Sequence, residues 1–189
     1  MALAPIKEKY TQLKEFFQWW IPAYLPGKGL YLKGQSAPRP PNPYIAFSPL
    51  DDVEMVGLDE RRFDSQGNEI LRGQRIITCS LEGYSDSGTR FDGGDNAWEM
   101  LQELRFSLCY PEVYDRLTSI NCRVIDPGTV DDSSETLNTT NEPRASLTFT
   151  LSTVIVQSID NGAIEIVNAE GDLEASNGTK QADVSVTKP

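Results

Sequence analysis

The side chains best suited to chemistry in this sequence are carboxylates and thiols, because it contains no histidine at all. That absence removes Ser-His-Asp and Cys-His nucleophilic catalysis, histidine-ligated zinc and the usual general base near neutral pH. Cys79, Cys109 and Cys122 lie far apart, with no C-x-x-C spacing and an odd total. Cys79 falls in an alternating strand and Cys109 at the end of an apolar helical face, so both read as small buried hydrophobes with reduced thiols. Among the acids, Asp51-Asp52, Asp131-Asp132 and Glu82 read as lying in or beside loops, where solvated charge is the ordinary role. The Asp/Gly-rich stretch Ser85–Gly94 lacks both the D-x-D-x-D-G spacing and the closing Glu of a calcium loop. No P-loop, G-x-G-x-x-G, G-x-S-x-G or H-E-x-x-H motif is present. No catalytic, cofactor-binding or metal-ligating residue is therefore expected, and the chain does not read as an enzyme.

Charge narrows the partners. Seventeen basic against 28 acidic side chains give a formal charge of −11 over 189 residues. Specific nucleic-acid binding needs a basic patch that displaces counterions, and an anionic membrane surface makes the same demand. An acidic surface suits a protein past which DNA slides without sticking. The N-terminus MALAPIKEKY has no apolar signal core, and no stretch approaches the roughly 18 apolar residues of a membrane helix, so neither a signal peptide nor a span is expected. The N-x-T sequences at Asn138 and Asn177 are accordingly not read as glycosylation sites.

The element that must organise the rest runs from Asn141 to Gln157. Ala145, Leu147, Phe149, Leu151 and Ile155 fall on one face, and Ser146, Thr148, Thr150 and Ser152 on the other. A period of two with β-branched and aromatic residues predicts a long half-buried strand, and its uncharged hydroxyl face suits either solvent or light packing against another subunit. Ile6 to Ile21 carries an apolar stripe at helical spacing, ending in Trp19-Trp20, with Pro22 and Pro26-Gly27 to stop it; packing on its own sheet is the simpler role. Further short strands are expected at Gly29–Lys33, Tyr44–Ser48, Asp52–Gly57, Ile70–Tyr84 and Ile120–Ile125, with Asp59–Gly67 a loop. Asn96 and Glu99 suit the start of a helix whose face is Ala97, Met100, Leu101, Leu104 and Leu108; Pro111 then ends it or opens a short turn over Glu112–Leu117. Asp126-Pro-Gly reads as a turn out of its strand, and Val130–Asn141 as an acidic loop. Ile164–Val167 is expected to pair back on the long strand through Asp160-Asn161-Gly162. From Ala169 to Pro189 the apolar content collapses, as in a tail that a neighbouring subunit or partner must order.

Four stretches in this order carry a family likeness: Gln35-Ser-Ala-Pro-Arg-Pro-Pro-Asn-Pro-Tyr44-Ile45, the Arg75–Gly83 strand, the Ala97–Leu117 helical segment and Glu142-Pro-Arg144-Ala145. Together they resemble the neck and tail-terminator proteins of long-tailed bacteriophages, and most nearly the neck-terminator type of contractile-tailed phages, over roughly Gln35 to Val167. The resemblance implies an α+β subunit, a mixed or antiparallel sheet flanked by helices, with an extended N-terminal helix and a C-terminal arm. Residues 1–34 would be the helix and arm, 35–168 the core and 169–189 a tail ordered by partners. It implies a structural virion protein: a homo-oligomer, in all expectation a hexameric ring, at the head-proximal end of the tail. Such a ring ends tail tube and sheath polymerisation, meets the head–tail connector and collar proteins, and lets genomic DNA through its lumen without specific binding. Assembly would take place in the host cytoplasm, with no membrane and no cofactor involved. A head-completion or collar protein, and a soluble protein-binding module, are the alternative readings. Acids lining a lumen would be sought in Asp51–Glu60 and Asp126–Glu135.

Overall fold

The computed structural model describes residues 4–64, 68–86, 96–137, 140–159, 169–175 and 178–184. Its frame is a five-stranded sheet built from β1 (Gly29–Leu32), β2 (Tyr44–Phe63), β3 (Glu69–Tyr84), β4 (Cys122–Asp132) and β7 (Arg144–Ile159). The strand order is β1-β2-β3-β7-β4; β1 runs parallel to β2 and every other neighbour is antiparallel. Three helices, α1 (Ala4–Tyr24), α2 (Ala97–Ser107) and α3 (Pro111–Ser119), complete an α+β fold with the N-terminal helix that the sequence calls for.

Alternation in the central strands decides which face the helices cover. Ile77, Cys79 and Leu81 of β3 sit opposite Leu151, Phe149 and Leu147 of β7, and all six are essentially inaccessible to solvent. Onto this face α1 lays Leu13, Phe16, Phe17, Trp20 and Ile21, all buried. The Phe17 ring lies between Phe47 and Phe149, with centroids 5.5 and 6.0 Å away. Such pairs add about 0.5–1.5 kcal/mol each beyond the area they bury. Trp20 meets Phe149 edge-on at 5.9 Å and its indole Nε1 donates to Ser107 Oγ at 2.8 Å, so its polar atom is satisfied inside the core. Pro22 does not stop α1, contrary to the sequence expectation. It stands in the last turn, where its missing N–H forfeits a single bond, and Leu25 N still donates to Ile21 O at 2.8 Å.

Asn96 caps α2 by accepting from Trp98 N at 2.8 Å, and Met100, Leu101, Leu104 and Leu108 face the core as expected. Pro111 opens α3 at a position where a helix needs no N–H, and Val113 and Leu117 are buried beneath it. Cys109 is exposed rather than buried: it falls just past the end of α2, beyond the last inward turn. Cys79 and Cys122 are buried, and burial pushes both thiols above their usual range, so neither is a nucleophile.

Two strands are longer than their sequences suggest, for the same reason. β2 is one strand of 20 residues that takes in Asp52–Gly57 and the supposed loop from Asp59 onward. It absorbs its punctuation in two irregularities: from Ser48 to Asp52 and again from Val56 to Glu60 it advances four residues against two on β3. In β4, Asp126-Pro-Gly is a bulge and not a way out, and the strand continues to Asp132. Asp126 Oδ1 accepts from Gly128 N at 2.8 Å, and Arg105 Nε donates to Gly128 O at 2.7 Å. Gly128 has φ +68°, and a Cβ there would stand 1.8 Å from Thr148 O. Pro127 is tolerated because β4 is an edge strand, whose outer side has no ladder to supply.

The acidic stretch after β4 holds a small hairpin, β5 (Glu135–Leu137) with β6 (Thr140–Glu142), instead of an irregular loop. In the tail, β8 (Ala169–Ala175) and β9 (Gly178–Val184) pair antiparallel with one another, so the arm is a hairpin and not a bare extended chain. The expected pairing of Ile164–Val167 through Asp160-Asn161-Gly162 lies outside the described residues, as do Asn138, Asn177 and residues 87–95 of the Asp/Gly-rich loop.

Candidate interaction surface

The sheet face turned away from the helices is assembled from the alternate residues. Reading across strands β2, β3, β7 and β4, register aligns Ser48, Ser80, Thr148 and Thr129 in one row, then Asp52, Thr78, Thr150 and Asp126 in the next. These side chains are exposed or half-buried. A wall of short hydroxyls is flat and can satisfy its own hydrogen bonds, so it tolerates either water or a closely apposed polar surface.

At one end of this face, charge is tightly organised. Glu82 of β3 meets Lys33 Nζ at 3.1 Å and Arg144 Nη2 at 2.9 Å, and accepts from Tyr84 Oη at 2.7 Å. Tyr84 stacks on Tyr44 with centroids 4.6 Å apart, and Arg144 stands over the Tyr84 ring at 5.3 Å. Burial raises the Glu82 pKa, but the hydrogen bonds from Tyr84, Lys33 and Arg144 and the charge of Lys33 outweigh it and hold the carboxyl below its usual range. Burial first, and the hydrogen bond to Glu82 second, push the Tyr84 hydroxyl far up, so it stays a donor. Glu82 thus stands near the end of its strand, beside a loop as expected, but at the centre of a structural ion cluster and not as a solvated charge.

At the other end the sheet outruns its helices. Beyond Asp51 in β2, before Arg75 in β3 and beyond Thr153 in β7, the strands continue as a ribbon with sparse burial. Ion pairs brace it where apolar packing is thin. Arg75 grips Asp59 through two hydrogen bonds of 2.7 Å, which hold that carboxyl below its usual range. Arg61 pairs with Glu69, and Arg62 with Glu60 at 2.6 Å. Large apolar side chains are nevertheless left in solvent here: Leu58 is 94% exposed, Phe63 69%, Met55 56% and Val156 55%. Monomers seldom leave so many on one small element unless a partner covers them.

Where β4 begins beside Thr153, a groove of about 620 Å³ opens against β7. Arg62, Arg72 and Arg123 approach it from three strands, and Val154 and Val156 form its apolar floor. Among the described residues, no carboxylate pairs with Arg72 or Arg123. The family model for phage neck terminator proteins matches residues 10–177.

The chain belongs to the phage neck terminator family.

That match takes in most of α1 and all of β8, which lie outside the stretch from Gln35 to Val167 that carries the likeness in sequence. Among curated proteins, none matches the chain. Membership makes the protein a structural component of the phage neck or tail. Among the described residues no helix is long and apolar enough to cross a membrane, and no three potential metal ligands gather.

For a neck terminator, the acids expected to line a lumen are separated by the sheet. Asp51, Asp52 and Glu54 are exposed on the free side of β2, while Asp126, Asp131 and Asp132 are exposed on β4, the opposite edge. Asp59 and Glu60 are drawn into ion pairs. The arginine groove was not foreseen. Its three arginines come from separate strands, and the one sequence signal for it is the shift of phase at Val154 and Val156, where apolar residues move to the hydroxyl face.

Proposed function

We propose that six copies of this protein close into a ring at the head-proximal end of the tail. There the ring ends polymerisation of the tail tube, and of the sheath where one is present, and offers its other side to the head connector and collar. The ring assembles in the host cytoplasm, and genomic DNA later passes its lumen. The observation that carries this reading is the ribbon that leaves the helical layer with Met55, Leu58, Phe63 and Val156 exposed. A ring requires two different complementary faces on each subunit, and the sheet edges at β4 and the outer half of β2, unpaired among the described residues, are suited to them. Repeated around six copies, exposed acids turned inward would give a lumen that repels DNA. Replacing Asp51, Asp52, Asp131 and Asp132 together with lysine is expected to slow genome ejection in single-particle ejection assays, and an unchanged rate would remove the acids from the lumen.

The deciding experiment is electron microscopy of lysates from a phage with a nonsense codon early in this gene. Overlong or unattached tails beside full heads are expected. Tails of normal length beside emptied heads would overturn termination and move the protein up to head completion.

A further inference from the structure

We infer that the groove along β7 receives the C-terminal hairpin of a second copy of this chain, with β8 added as a strand to the free edge of Val154–Ile159. The inference rests on the ring proposed above and names the contact that closes it. Three observations meet here. Among the described residues the edge is open: β7 pairs with β3 along its whole length, but β4 covers its other side only as far as Thr153. Among the described residues β8 is likewise bound on one side alone, by β9. An exposed strand edge is a template for another strand, with main-chain hydrogen bonds giving affinity and side-chain alternation giving specificity.

The third observation is charge. In a chain of net charge −11, the groove gathers Arg62, Arg72 and Arg123. By register, Arg123 stands level with Ser152, Arg72 with Val156 and Arg62, through Ile70, with Ser158, all on the hydroxyl face. In the sequence of β8, Glu170, Asp172 and Glu174 occupy every second position, alternating with Gly171 and Leu173. A strand laid along Val154–Ile159 turns alternate residues to the arginine face and the rest to the side of Ile155. The acids of β8 suit the first and Leu173 the second. Groove and hairpin are different patches of one chain, so their contact is head-to-tail, and it makes a ring where the rotation from copy to copy closes.

The test uses the purified full chain at low salt, followed by sedimentation over a dilution series. Three forms are compared with the parent: Arg72→Glu with Arg123→Glu, Asp172→Arg with Glu174→Arg, and all four together. Each pair of reversals is expected to weaken association at least tenfold, and the fourfold variant to recover most of it. The substituted sites are solvent-facing or in the arm, and circular dichroism of each variant verifies that the core is intact. Association untouched by either pair, or a fourfold variant no better than the pairs, overturns the docking while a sedimenting ring still stands. Docking of the arm on its own chain would leave association independent of Asp172 and Glu174, which also overturns it. A parent that stays monomeric at every concentration removes the second copy as the occupant. Termination itself is judged separately, by tail length in the nonsense phage.

Discussion

The two halves of β7 are one continuous strand that lives in two environments. From Ala145 to Thr153 it is paired on both sides, and every second residue is sealed beneath the helices. From Val154 to Ile159 it has a single neighbour among the described residues, and Val154 and Val156 face outward at 37% and 55% exposure. Thr153 marks the junction: it is on the core face, buried, and its hydroxyl donates to Asn121 O at 2.8 Å where an apolar residue would continue the pattern. The first half uses alternation to build a core. In the second half Ile155 keeps the core phase but Val154 and Val156 stand on the hydroxyl face, and a side chain placed against the core's own logic is best explained by something outside the chain. The comparison predicts that substitutions in the first half are felt as stability and those in the second as assembly.

The largest effect separates them most sharply. Phe149 is 1% exposed and packs against Phe17 and Trp20. Phe149→Ala is expected to cost about 3–5 kcal/mol, from lost transfer energy and the cavity left behind. That is a large part of the roughly 5–15 kcal/mol that a domain possesses. Urea denaturation measures it. A cost below about 1 kcal/mol would mean that the helix-covered half is not what holds the fold.

How much of this could be read from the sequence follows the same division. The covered half was legible because burial there obeys one period per element: Ile77, Cys79 and Leu81 alternate, and Leu13, Phe16, Phe17 and Trp20 recur at three and four. The uncovered half was not, and neither were parts of the covered one, because both are held in places by groups that ordinarily signal loops. Asp59 looks like a loop residue until Arg75 reaches it from β3. Asp126-Pro-Gly looks like a turn until Arg105, on a helix, holds Gly128 O in place. Glu82 gives no local hint of Lys33 and Arg144, which are distant in sequence. Long-range charge pairing has no period, so single-sequence pattern reading passes over it.

The Glu82 cluster sharpens the comparison at an intermediate size. It lies on the outward face, yet in the covered half, so its loss should register as stability. Glu82→Gln removes the charge that Lys33 and Arg144 share, and about 1–3 kcal/mol is expected at neutral pH. The sign of the pH dependence follows from the depressed pKa of the folded state. The carboxylate's contribution is complete above the ordinary glutamate value of about 4.3 and is lost as pH falls through the lower folded-state value. The gap between parent and variant in denaturation experiments should therefore be widest at pH 6–7, on the order of the full effect, and shrink in acid. A gap that is constant down to the acid limit would mean that the cluster contributes through packing alone.

The smallest effect on stability belongs to the second half, where it should be paired with a large effect of another kind. Val154→Thr with Val156→Thr keeps β-branching and nearly the same volume. At exposed positions the new hydroxyls stay in water, so folding stability should move by less than about 0.5 kcal/mol. Association should suffer instead. If both methyl-bearing faces are covered in the ring, replacing a methyl by a hydroxyl at each costs about 0.8 kcal/mol per site, and the pair weakens assembly roughly tenfold. Sedimentation against concentration measures one quantity and urea denaturation the other, on the same sample. Stability lost with association unchanged would show that the far half of β7 serves the fold after all. Unchanged stability with weakened association would show that one strand divides its length between holding a subunit together and joining it to the next.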